Sequence, residues 1–168
     1  MIAAVSGTGT SSFLYFFGID IPGKAGLLDV ESGETLLFGD DVEIEDIIWM
    51  GPQDSVAEIA ARSGVEKSYP YGKLFGQVSG AIQQGRRVHF LPPYRAENKL
   101  LLQKLTGIDS ARQKEYASVE LIKAIVALRS VKEPVEIEEI EKACMIGYDM
   151  HLCAMQMAQP GIREQEIA

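Results

Sequence analysis

The chain has 168 residues, 46% of them hydrophobic and 24% charged, which is the usage of a folded globular protein rather than a disordered one. Its 16 Lys and Arg against 24 Asp and Glu leave a net charge of −8, a balance that argues against a surface built to grip DNA or RNA phosphates. The longer apolar stretches, residues 13–17 and 125–128, fall far short of the roughly 20 residues that a membrane span needs, so the chain is expected to be soluble.

Residues 1–10 (MIAAVSGTGT) carry no basic leader and too short an apolar stretch for a secretory signal, and are expected to be a loose lead-in. Residues 12–18 (SFLYFFG) are aromatic-rich and closed by glycine, which predicts a buried strand or strand end. The short apolar runs 26–30 and 35–38 are joined by Glu31-Ser32-Gly33-Glu34, a hairpin signal because glycine takes the positive φ the turn demands. Residues 40–50 (DDVEIEDIIWM) place Val42, Ile44, Ile47 and Ile48 among acids in a helix-like pattern that ends at Gly51-Pro52. Asp54 or Ser55 is placed to cap a helix running through Arg62, with Gly64 as its stop.

Residues 71–84 predict a further helix, weakened by Gly76 and Gly80 and stopped by Gly85. Residues 87–91 (RVHFL) predict a strand ended by Pro92-Pro93, and residues 96–105 a helix ended by Gly107. Ser118 caps an amphipathic helix in which Leu121, Ile122, Ile125, Val126 and Leu128 are expected to be buried, while Lys123 and Arg129 stay wet. Pro134 suits the first turn of the next helix, since the N–H it lacks has no partner there anyway. That helix should run to about Met157, with Ile137, Ile140, Cys144 and Met150 as its inner stripe, before Pro160-Gly161 breaks it. Residues 162–168 open like another helix but are too few to hold one, because nucleation costs more than so few bonds return. The pattern is an α/β domain with a helical exit, its body ending near Val131 and residues 132–135 forming a joint, in a chain expected to be cut short.

Residue chemistry points to no catalytic centre in this chain. His89 sits in the predicted strand between Val88 and Phe90, the place of a partly buried structural histidine, and His151 has no metal-ligating neighbour three or four residues away. HExxH, CxxC and HxH patterns are absent, so the expected metal-ligand and catalytic sets are both empty. Cys144 and Cys153 would lie on opposite faces of one helix, roughly 13 Å apart along its axis, too far for a disulfide and suited to a reducing cytoplasm. Asp40, Asp41, Glu43, Glu45 and Asp46 fit a solvated helix start rather than an oxygen cage, since neighbours on a helix diverge. The run Glu133, Glu136, Glu138, Glu139 and Glu141 fits the positive end of a helix dipole. Ser6 and Ser79 stand in no GxSxG elbow, and Gly7-Thr8-Gly9-Thr10 has neither a preceding strand nor a following GK[ST]. Trp49, the single tryptophan, is either core or an exposed interface anchor beside Gly51-Pro52.

Three segments, SFLYFFG at 12–18, Ile48-Trp49-Met50-Gly51, and RSVKEPVEI at 129–137, together resemble the N-terminal domain of Xaa-Pro aminopeptidases (aminopeptidase P). Residues 145–157 and Pro160-Gly161 with Glu164, Glu166 and Ile167 continue the likeness, which covers about residues 11–168. The resemblance implies a creatinase-type domain over 11–131, a mixed sheet flanked by helices. Residues 132–168 would then be the joint and first helix of a truncated pita-bread metallopeptidase domain. It also implies an activity for the parent: removal of the N-terminal residue that precedes a proline, by two divalent metals, commonly manganese, that activate a bridging water. The implied ligands lie beyond Pro160-Gly161, so the fragment alone would be inactive. The implied partners are a second copy, through self-association of this domain, and peptide substrates, with no nucleic acid and no membrane, in the cytoplasm. Trp49 matches a family tryptophan that reaches a neighbouring subunit's substrate pocket, which makes it the one implied site residue. The family pattern has an acidic residue where Thr10 stands, and an earlier helix and strand that residues 1–10 are too short to supply. The alternatives are a non-catalytic protein-interaction module and the N-terminal part of a prolidase or creatinase relative.

Overall fold

A computed structural model describes residues 2–4 and 10–167. The chain divides into two compact units, residues 1–125 and 126–168.

The first unit is built on a four-stranded sheet in the order β1 (Ile2–Ala4), β2 (Ala25–Leu28), β3 (Thr35–Phe38), β4 (Lys67–Tyr69). β1, β2 and β3 pair antiparallel, and β4 joins β3 in parallel, Leu37 lying opposite Ser68. The expected hairpin closes β2 onto β3: Asp29 N–H donates to Glu34 O at 2.8 Å, and Gly33 turns the chain at φ 76°. A parallel pair needs a long crossover, and here it holds α2 (Ile44–Met50) and α3 (Val56–Arg62). Ser55 starts α3 with a reciprocal capping box to Glu58, and Gly64 follows its end at φ 69°.

Two strand predictions need correction. Residues 12–18 are not a strand: Ser11–Phe17 is α1, closed by Gly18 in the left-handed conformation with its N–H on Leu14 O. The deciding spacing is Phe13 to Phe17. One helical turn brings these rings into a stack with centroids 4.7 Å apart, both 1% exposed, while Leu14 and Tyr15 point outward. Residues 87–91 add no run of strand to the sheet; only His89 makes an isolated bridge. The fourth strand is Lys67–Tyr69, whose lysine and serine hide it from any search for apolar alternation. At the other end, β1 lies within the expected loose lead-in, held by backbone pairing to β2.

Successive strand residues face opposite sides of a sheet, and both sides are covered here. Leu37 packs with Phe13, Phe17, Ile19, Val56, Ile59, Ala60 and Val65. Leu36 and Phe38 pack with Ala25, Leu27, Leu105 and with Leu74 and Val78 of α4 (Lys73–Gln83). α5 (Ala96–Thr106) ends at Gly107 as expected, and α6 (Gln113–Tyr116) leads into α7 (Val119–Ser130).

Leu121 of α7 is buried, but Val126 and Leu128, expected inside, are 56% and 57% exposed, and Arg129 is half-buried rather than wet. In the second unit α8 (Pro134–Met157) begins at its proline and ends where expected, with Glu133 and Glu136 forming a capping box. Its expected inner stripe is uncovered: Ile137, Ile140, Cys144 and Met150 are all exposed, and α8 buries no residue. Periodicity marks the face that suits a partner; it does not supply one. Past Pro160-Gly161, residues Glu164–Glu166 form a single 3-10 turn.

Candidate functional site

The exposed end of α2 is the candidate site. Glu43 enters the helix extended, and its carbonyl accepts from Asp46 and Ile47 N–H at 3.1 and 3.2 Å. Gly51 ends it at φ 78°, with its N–H on Ile47 O at 2.8 Å, and the Gln53 side-chain amide donates to Met50 O at 3.3 Å. Both flanks are pinned to the body. Asp40 Oδ1 accepts from Tyr71 N–H at 2.9 Å while Lys24 Nζ donates to Asp40 O at 3.1 Å, and Asp41 Oδ1 accepts from Val56 N–H at 2.6 Å. These carboxylates thus anchor loops by accepting backbone N–H groups, a sharper role than a solvated helix start.

From this pinned base the helix presents Ile48, Trp49 and Met50 at 75%, 88% and 60% exposure. Trp49 is therefore not core. An exposed indole at the end of an anchored helix is the kind of residue that dominates contact energy when covered. Glu45 and Asp46, also exposed, stand four and three positions before Trp49 and share its helix face.

A second constellation joins residues that the sequence leaves apart. His89 Nδ1 lies 2.7 Å from Ser118 Oγ, which also donates to Glu120 Oε2 at 3.0 Å and accepts from Leu121 N–H at 3.2 Å. With its one proton on Glu120, the hydroxyl must accept from His89, which assigns the Nδ1–H tautomer. Burial, and then the Arg87 cation, push the imidazole below its ordinary value. Ser118 is 2% exposed. This is a clamp on the start of α7, the structural role expected of His89, and not an exposed nucleophile.

The strongest electrostatic feature, Arg86 on Asp29 and Glu31, has no signature in the sequence because 57 residues separate Arg86 from Asp29. The Arg86 guanidinium, with the N–H groups of Glu31 and Ser32, holds the Asp29 carboxyl well below the usual carboxylate range, against the opposing pull of burial. Among the described residues no group of three or more His, Cys, Asp or Glu side chains could hold a metal ion. His151 and both free cysteines are exposed on α8, Ser79 is exposed on α4, and Ser6 and Gly7 to Gly9 lie outside the described residues. Among the described residues no helix is long and apolar enough to cross a membrane.

The first unit is an α/β domain, a small mixed sheet covered on both faces, with an exposed tryptophan at the end of α2. Residues 8–89 match the family "Aminopeptidase P, N-terminal domain". A probable Xaa-Pro aminopeptidase of Chaetomium globosum is 26% identical over 92% of this chain and 25% of its own length, and one of Talaromyces stipitatus 24% identical over 93% and 30%. The chain therefore spans about a quarter to a third of these relatives. Among solved structures, the zinc-substituted Escherichia coli aminopeptidase P in complex with product superposes with a TM-score of 0.70 at 19% identity, over 99% of this chain and 43% of that one. Pseudomonas aeruginosa aminopeptidase PepP gives a TM-score of 0.72 at 20% identity, over 94% and 37%. At such identities these structures establish the fold, which is the mixed sheet flanked by helices that the resemblance implied.

Proposed function

We propose that this chain serves as the N-terminal assembly and substrate-shaping portion of a metal-dependent Xaa-Pro aminopeptidase acting in the cytoplasm. The observation that carries the reading is Trp49, 88% exposed on a helix tied down at both flanks, within a segment that matches the aminopeptidase P N-terminal family. In the assembled enzyme this indole packs on a peptide residue in a neighbouring copy's pocket and excludes water, while self-association of the domain brings it there. The metal pair, manganese by the family resemblance, is assigned by that same resemblance to the part of the parent beyond Pro160-Gly161. Residues 11–131 act as the domain, and 132–168 as the joint and opening helix of the peptidase part.

The test has two arms. Residues 1–168 alone should release no N-terminal residue from an Xaa-Pro peptide with manganese present, and turnover above a buffer blank overturns that. In the complete enzyme, Trp49→Ala should weaken turnover of longer peptides with metal content unchanged, as should be possible for a side chain that contributes nothing to the core; equal turnover rejects the shaping role.

A further inference from the structure

Resting on that reading and narrowing its substrate class, we propose that the α2 tip recognises a cationic side chain, Arg or Lys, of a peptide downstream of the cleaved bond. Three observations converge. The Trp49 ring offers both its faces, and a guanidinium or ammonium is attracted to an indole face more than to any other aromatic ring. Glu45 and Asp46 lie one turn back on the same helix face, so two carboxylates flank the position a cation stacked on Trp49 would take. Among the described residues no ion pair engages either carboxylate. Ile48 and Met50 supply apolar surface for the methylene stem of a long basic side chain, whose head can stay at the acidic rim. Aromatic face, apolar flank and paired negative charge suit a basic side chain; an acidic one would be repelled, and a neutral one would lack the charge term.

Within residues 1–168 Trp49 is the only tryptophan, so it is the reporter in a titration of this chain. Emission excited at 295 nm is titrated with the hexapeptide Ala-Pro-Ala-Arg-Ala-Arg and with its Gln counterpart. An exposed cation–π contact and a surface ion pair together should lower the Arg peptide's dissociation constant by about three- to tenfold relative to Gln, and added salt should shrink the gap. E45Q/D46N should bring the two peptides to parity, and E45K/D46K should reverse the preference toward a Glu peptide. E138Q/E139Q on α8 removes the same charge elsewhere and should leave the preference intact. Equal constants for Arg and Gln peptides, no saturable change with either, or an equal loss from E138Q/E139Q overturns the proposal. A failure of the aminopeptidase reading looks different: the complete parent would not cleave Xaa-Pro peptides, while the Trp49 titration would still separate Arg from Gln.

Discussion

Gly26 lies in the centre of β2 between buried Ala25 and Leu27, on the side of the sheet where α1 packs. A Cβ added there would stand 2.1 Å from Phe17 Cζ and 2.4 and 2.7 Å from the two Cε atoms, against 3.4 Å where ordinary contact begins, so the ring must retreat by about 1.3 Å. It has little room to do so, being 1% exposed and stacked on Phe13. Overpacking of this kind costs about 1–3 kcal/mol, and replacing glycine's backbone freedom in a strand returns about 0.5–1. Gly26→Ala should therefore destabilise by about 1–2 kcal/mol, with the midpoint of thermal unfolding falling about 2–4 °C per kcal/mol for a chain of this size. Urea unfolding followed by far-ultraviolet circular dichroism measures it. The decisive comparison is Phe17→Leu, which vacates the contested space. Paired with Gly26→Ala it should cost less than the two changes summed. Strict additivity, or a Gly26→Ala protein as stable as the parent, would refute the close packing of α1 on β2.

Two further outcomes follow from individual contacts. Ser55→Ala removes the hydroxyl that accepts from Glu58 N–H at 3.3 Å and should cost about 1 kcal/mol, whereas Glu58→Gln keeps the capping geometry and should cost less; equal losses would count against the box. For Asp29 the sign runs from a carboxyl depressed in the folded state by Arg86, so its stabilisation is present above the unfolded carboxylate value, about pH 4, and is lost as the pH falls below it. The stability gap between the parent and Asp29→Asn should accordingly be wide at pH 6 and shrink toward pH 2, and a gap that does not change with pH would sink the clamp.

Legibility in the sequence followed the range of the interaction. Local signals were faithful: the Ser32-Gly33 turn, the Ser55 cap, Gly85 and Gly107 as stops and Pro134 as a start all lie where their backbone chemistry places them. Errors came where identity was decided by something distant. SFLYFF carries strand-like composition, yet its helix exists because Phe13 and Phe17 can bury together one turn apart. Lys67–Tyr69 is a strand because β3 offers it an edge, and nothing in a lysine, a serine and a tyrosine announces that. At the candidate site, the sequence left Trp49 between core and surface, and only the pinned geometry of α2 resolves it. The Asp29–Arg86 and His89–Ser118 pairs were illegible for the same reason, since side chains that meet across the fold leave no spacing to read.

The covering of the sheet on both faces has a consequence for how the first unit comes apart. β3 works as a party wall: Leu37 furnishes one room while Leu36 and Phe38 furnish the other. Neither room can be emptied without stripping the plaster from its neighbour, so the amide protons of this strand should exchange with solvent only when the whole unit opens.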